Sequence, residues 1–403
     1  MPTLQKTVIT CASVVLGLLA PGLGLAAPYT PAQRDVVVET LPAIDPAVSE
    51  QVQTLHRRLA AAPQSVALAT ELARHYVDLS RQTDDPRYNG YAQAALRPWW
   101  EQPQPPTDVL MLRAHLLQNR HAFDQARSDL QQVLEREPRR AQAWLELAAI
   151  ERVTGSLENA HKACAALLTL ASTLISGTCL ADIASLTGKG QGAYATLDRL
   201  LQTASADAAP GLRRWALTIQ GEIAWRLGQP ALALQALEAA LELAEEEGVF
   251  DGYLLGLWSD FMLARGQARP VRKRLAPYAH SDALLLRYVI ASKRLMADDA
   301  IPMADVLRRR FEASQRRGDT VHQREQARFA LDVDEQPAEA LWLAQHNWAV
   351  QKEPADLLLL LRAALAFNPA AAAPARAYLT STGLEDVRAE ALIERLDQLD
   401  AAA

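Results

Sequence analysis

Residues 107–140, TDVLMLRAHLLQNRHAFDQARSDLQQVLEREPRR, and residues 141–174, AQAWLELAAIERVTGSLENAHKACAALLTLASTL, are adjacent blocks of 34 residues with one pattern. In the second block Trp144, Leu147, Ala148 and Glu151 fall three and four residues apart, which places them on one helix face. Gly155 follows, where a helix can end through a left-handed residue. Leu157, Ala160, Cys164 and Leu167 then resume the same period. The first block does likewise with Leu110, Ala114 and Leu117, then Phe123, Ala126, Leu130 and Val133, before Pro138 stops it. Each block reads as helix, short turn, helix, with alanines where the two helices must approach closely. A repeat of this length is one supersecondary unit stacked on its neighbours.

The spacing resembles the tetratricopeptide repeat, whose pattern is W-x2-L-G-x2-Y, then A-x3-F, then P. Trp144-x2-Leu147-Ala148 follows the first half with Ala for Gly, and Glu151 stands for the aromatic residue. Ala160-x3-Cys164 follows the second half with Cys for Phe, and Ser172 replaces the proline. The resemblance implies an all-α, right-handed superhelical solenoid of helix-turn-helix repeats.

The 403 residues are half apolar, and good helix formers dominate, while alternating runs of Val, Ile and Thr are almost absent. A net charge of −6 argues against nucleic-acid binding by bulk charge. After the N-terminus no stretch is long and apolar enough to span a membrane. The N-terminus itself reads as a secretory signal peptide. Lys6 starts it, Val8 to Ala20 is apolar, and Gly24-Leu25-Ala26 offers a cleavage point after Ala26. The expected localisation is therefore periplasmic or secreted. An uncleaved membrane anchor is the alternative.

Residues 27–45 read as an extended lead-in, and 46–106 as a capping helix and a divergent repeat with a longer turn at Asp84 to Gly90. Residues 107–250 hold the well-matched repeats and 251–383 looser ones. These turn at Gly266, Asp298-Asp299, Gln336-Pro337 and Asn368-Pro369. Residues 384–403 form a final amphipathic helix with Asp386, Arg388, Glu390, Glu394 and Arg395 placed towards water. The run Gly188-Lys189-Gly190-Gln191-Gly192 is not a phosphate loop. No strand precedes it, no glycine stands five residues before Gly188, and no Ser or Thr follows Lys189.

Cys164 and Cys179 fall on consecutive helices and could form a disulfide in an oxidising compartment, or serve as two buried thiols. With His161, three residues before Cys164, they could instead supply metal ligands. This is the basis for an alternative reading as a metal- or redox-linked accessory protein. No G-x-S-x-G, H-E-x-x-H or paired-acid motif appears, so the chain is expected not to be an enzyme; an unrecognised site is a further alternative. No metal or cofactor is assigned. From Met262 to Arg328 there are 15 Lys or Arg against 7 Asp or Glu, densest at Arg272-Lys273-Arg274 and Arg308-Arg309-Arg310. Such a stretch could meet an acidic partner or anionic lipid, or could simply be a solvated face.

The resemblance also implies that the first helices of successive pairs line a concave groove that binds proteins or peptides. Carried onto this sequence, that groove comprises Met111, His115, Asn119, Arg152, Asp182, Trp215, Glu222, Trp225 and Asp260. The expected function is a non-catalytic scaffold that binds a protein or peptide partner of the cell envelope along this groove.

Overall fold

The computed structural model describes residues 33, 35, 46–204, 209–316, 318, 321 and 323–402. The signal-peptide reading, and the lead-in apart from residues 33 and 35, lie outside them. The described residues form helices and no strand. Helix α1 (Pro46–Ala61) caps the N-terminal end with Val52, Leu55 and Leu59 against the first pair, α2 (Val66–Thr83) and α3 (Arg87–Ala95). A single turn, α4 (Arg97–Trp100), leads to the second pair, α5 (Thr107–Asn119) and α6 (Phe123–Arg136). Four pairs follow: α7 (Ala141–Val153) with α8 (Leu157–Ala166), α9 (Thr173–Ser185) with α10 (Gly190–Thr203), α11 (Pro210–Arg226) with α12 (Pro230–Glu246), and α13 (Gly252–Ala264) with α14 (Ala268–Leu275). The last three are α15 (Asp282–Arg294) with α16 (Ala300–Arg316), α17 (Gln323–Asp332) with α18 (Pro337–Val350), and α19 (Pro354–Phe367) with α20 (Ala373–Thr382). Helix α21 (Val387–Ala402) closes the chain. The architecture is a solenoid of tetratricopeptide-like helix pairs.

The turn inside most pairs is built alike, because a helix that must reverse within a few residues has to satisfy its last carbonyls locally. Between α7 and α8 the Gly155 amide bonds the Arg152 carbonyl and the Ser156 amide bonds the Glu151 carbonyl, with Gly155 at φ +80. This is the two-bond left-handed helix stop. The same two bonds recur at His121-Ala122, Gly228-Gln229, Gly266-Gln267 and Met296-Ala297. Glycine fills the left-handed position in the third to sixth pairs, at Gly155, Gly188, Gly228 and Gly266. Asp84, His121, Met296 and Glu335 fill it elsewhere, at a cost of about 1 kcal/mol each for the Cβ.

Ion pairs join neighbouring helices and use up most of the cationic stretch between Met262 and Arg328. Arg274 pairs with Glu245, Arg272 with Asp299, Arg287 and Arg328 with Asp260, Lys293 with Glu335, Arg308 with Asp334, and Arg310 with Asp282. A charge excess in sequence thus becomes, in large part, a set of repeat-to-repeat ties. The final helix corrects one expectation. Asp386 is fully buried at its N-terminus, where it accepts bonds from the Arg388 amide and guanidinium, while Glu390, Glu394 and Arg395 do face water.

The solenoid does not remain an open stack. One apolar core runs from α5–α9 directly into α17–α21, so that Leu110, Leu147 and Ile183 share it with Leu341, Leu360 and Leu396. The C-terminal segment from Gln351 to Arg388 crosses the turns of four successive pairs in order. The Gln351 amide meets the His121 ring at 2.8 Å, and the Lys352 amide donates to the Val153 carbonyl at 2.8 Å. Gly383 lies against Gly188, Glu385 accepts from the Gly190 amide at 3.0 Å, and Val387 lies against Gly228. The Arg388 guanidinium stands 4.0 Å from the centre of the Trp225 ring. The glycine-rich run 188–192 is thereby explained. A Cβ at Gly188 would stand 3.0 Å from the Gly383 carbonyl oxygen.

Candidate functional site: a charged interior closed by the chain itself

The face carrying the candidate groove residues holds a network of buried ions. The first helix of each pair turns one polar stripe inward, because its opposite face is committed to the pair's own apolar core. Arg152 of α7 is the hub. Its Nε lies 2.8 Å from Asp182 of α9, and its Nη1 donates to Glu353 at 2.7 Å across 201 residues of sequence. Glu353 also receives Arg324 of α17, which bonds Asp356. Asp356 accepts from the Glu353 amide at 2.9 Å and from Asn347 at 2.7 Å. On the other side Glu222 of α11 accepts from the Tyr253 hydroxyl and lies 3.5 Å from Arg226, which donates to Ser185 at 2.6 Å. Further along, Asp260 of α13 holds Arg287 at 2.7 Å and Arg328 at 2.6 Å.

Burial and pairing set the charge states. Burial alone would raise Glu353, but Arg324 and Arg152 hold its carboxyl down at about 2. Arg287 and Arg328 likewise hold Asp260 below the ordinary carboxylate range against its burial. Burial raises Glu222 in spite of Arg152 and Arg226. The Tyr253 hydroxyl is also raised, by its enclosure beside Glu222 although the residue is 55% exposed as a whole, and further by the Glu222 and Glu353 carboxylates. Arg152 and Arg324 are raised well above the ordinary guanidinium value, because nearby carboxylates outweigh their burial. The carboxylates named here each have an arginine or a tyrosine as a partner.

These contacts change the reading of the groove. Arg152, Asp182, Glu222, Trp225 and Asp260 all lie on inward-facing helices, but their partners are residues of this chain. Arg152 and Trp225 are engaged by the C-terminal segment, and Asp260 by α15 and α17. Met111 packs in the core shared with the C-terminal helices. Trp215 is half-buried against the core of α9–α11, and Asn119 is exposed at the end of α5. His115 is half-buried, its Nε2 has no hydrogen-bond partner among the described residues, and burial lowers its pKa. At five of the nine positions the side chain is therefore engaged by other residues of this chain. Sequence periodicity missed Glu353, Arg324, Asp356 and Tyr253, since the register of one repeat points neither to a side chain of the neighbouring pair, as for Tyr253 on Glu222, nor to one 201 residues away, as for Glu353 on Arg152.

Cys164 and Cys179 are joined in a disulfide with Cα atoms 5.5 Å apart, tying α8 to α9. His161 is exposed on α8. The three-ligand set is thus not assembled, because both sulfurs are bonded to each other. Among the described residues no group of three or more His, Cys, Asp or Glu is placed to hold a metal. No helix of the described residues is long and apolar enough to cross a membrane.

No family model matches the sequence, and no curated protein does either. Solved structures with a similar arrangement of helices include the Cut9–Hcn1 hetero-tetramer of APC/C, at 14% identity and a TM-score of 0.38. That match covers 78% of this chain and 52% of the other, so the chain spans about half its length. A Rap protein complexed with competence and sporulation factor matches at 13% identity and a TM-score of 0.46, over 87% of this chain and all of the other. A tetratricopeptide repeat protein from Parabacteroides merdae matches at 11% identity and a TM-score of 0.34, over 73% and 97%. The likeness is one of helical-repeat architecture and supplies no residue correspondences.

Proposed function

We propose that the chain is a non-catalytic protein-interaction scaffold of the cell envelope. The observation that carries this reading is how the solenoid holds Gln351 to Glu353. Gln351 and Glu353 have extended backbones, at φ −124, ψ 144 and φ −76, ψ 158, and cross the turns of two adjacent pairs. One backbone bond fixes the register of this segment, and side-chain bonds to His121 and Arg152 fix its identity. These are the elements by which an extended peptide is recognised, a main-chain bond for affinity and side-chain partners for specificity. Here the chain supplies the segment itself. The export reading rests on the N-terminal pattern of Lys6, the apolar run and Gly24-Leu25-Ala26.

The test is crosslinking and affinity capture of the full chain at native level from its own envelope, followed by mass spectrometry. A discrete protein partner is expected. Its yield should rise in Glu353→Gln if the partner competes for the Arg152 surface, and should stay level if it docks elsewhere. Recovery of no protein above the crosslinked background would end the scaffold reading.

A further inference from the structure

The C-terminal segment covers the turns of the second to fifth pairs and then leaves the edge. At the sixth pair no described residue stands within 4 Å of where a Cβ on Gly266 would be, its own chain neighbours aside. At the seventh, Met296 is 90% exposed, with Leu295 and Ile301 exposed beside it. Met296 occupies the left-handed position, φ +52, that glycine fills in the third to sixth pairs. A flexible apolar side chain is thus held outward at a tip where the backbone favours having none. The two turns are fastened side by side, since Arg294 donates to the Leu263 carbonyl and Arg272 to Asp299 at 3.1 Å. Most cations of this region are spent on ion pairs, but Arg265, Arg269 and Lys273 are exposed and have no ion-pair partner among the described residues. Asp298 is the exposed carboxylate in the same turn, which leaves the edge net positive.

We propose that this edge docks on an anionic lipid bilayer. Leu295, Met296 and Ile301 enter the boundary between headgroups and acyl chains, while Arg265, Arg269 and Lys273 meet lipid phosphates. An apolar tip with a cationic flank binds such a surface by burying apolar area and by attraction to anionic headgroups. The shape favours a bilayer over a protein groove. The apolar residues protrude rather than line a cleft, and the cations are long, exposed side chains, which a fluid surface accommodates.

The experiment is hydrogen–deuterium exchange of the full chain, reading the peptide spanning 290–305, with vesicles of phosphatidylglycerol and phosphatidylcholine, with phosphatidylcholine alone, and without lipid. This local readout is independent of any binding through the apolar N-terminus. Protection of 290–305 is expected on the anionic vesicles only, and it should weaken at 0.5 M salt. It should be lost in the pair Met296→Asp, Ile301→Asp. It should also weaken in Met296→Gly, which relieves the backbone and so cannot act by unfolding the turn. Reversing Arg269 and Lys273 to Glu should lower the apparent affinity roughly tenfold or more. Unchanged exchange at 290–305 on anionic vesicles would overturn the proposal. So would protection that grows with protein concentration in the absence of lipid, which would assign the tip to a second copy of the chain, or protection that persists in Met296→Asp, Ile301→Asp.

Discussion

The turns along one edge of the solenoid fall into two groups that share their hydrogen bonds and differ in what they touch. In the second to fifth pairs the turn meets the chain's own C-terminal segment, and in the sixth and seventh it meets water. At Gly188 two constraints coincide, a left-handed backbone and a neighbouring carbonyl that leaves no room for a Cβ. At Gly266 only the first applies, and at Met296 even that is overridden. The local motif therefore sets the backbone, while tertiary closure decides how strictly the side chain is limited. Closure also decides the fate of charge. Where the chain folds back, Arg152 is half-buried and paired, whereas on the open edge Arg265 and Arg269 are exposed and without an ion-pair partner among the described residues.

The largest effect that would break this contrast is at Glu353. Glu353→Ala leaves Arg152 and Arg324 largely buried without their shared partner and should cost about 3 kcal/mol, read as a lower urea midpoint. Asp298→Ala on the open edge should stay within about 0.5 kcal/mol. Removing the disulfide with Cys164→Ala and Cys179→Ala, across a separation of 15 residues, should cost up to about 3 kcal/mol. Acid should loosen the covered edge first. Glu353 is held at about 2 against an ordinary 4.5, so its contribution is complete above the ordinary value and is lost as pH falls from there through about 2. Glu222, raised by burial, acts in the opposite sense and gains as pH falls. Exchange of the amides in 351–388 should therefore rise below about pH 4, and Glu353→Gln should flatten that rise.

The glycines give a finer comparison. Gly266→Ala should cost about 1 kcal/mol for the backbone alone, and Gly188→Ala about 2 kcal/mol because the Gly383 carbonyl must also move. Equal costs would mean that the covered and open turns do not differ. The smallest effect is a gain. Met296→Gly should raise stability by up to about 1 kcal/mol, measured by thermal unfolding.

The helix pairs were legible because their signal is local. The 3.6-residue period of Leu110, Ala114 and Leu117, and glycines such as Gly155 and Gly266, mark helices and turns within one repeat. The two cysteines were legible as candidates for the same reason, since 15 residues separate the end of one helix from the middle of the next. The groove was only half legible. Periodicity put Arg152, Asp182 and Glu222 on inward-facing helices, but it could not show that Glu353 and Arg324 would reach them. The basic stretch was legible only as a total, for a similar reason. Net charge counts Arg272, Arg287 and Arg308 as free, whereas each faces a carboxylate across a repeat boundary.

The claim that the solenoid closes on itself rests most directly on the contact between Arg152 and Glu353, 201 residues apart. A double-mutant cycle with Arg152→Met and Glu353→Gln, followed by urea unfolding, measures it. The account predicts that the two changes fail to add, with a coupling of about 1–3 kcal/mol. Additivity to within about 0.5 kcal/mol would contradict it and leave the inner face of the repeats open to a partner.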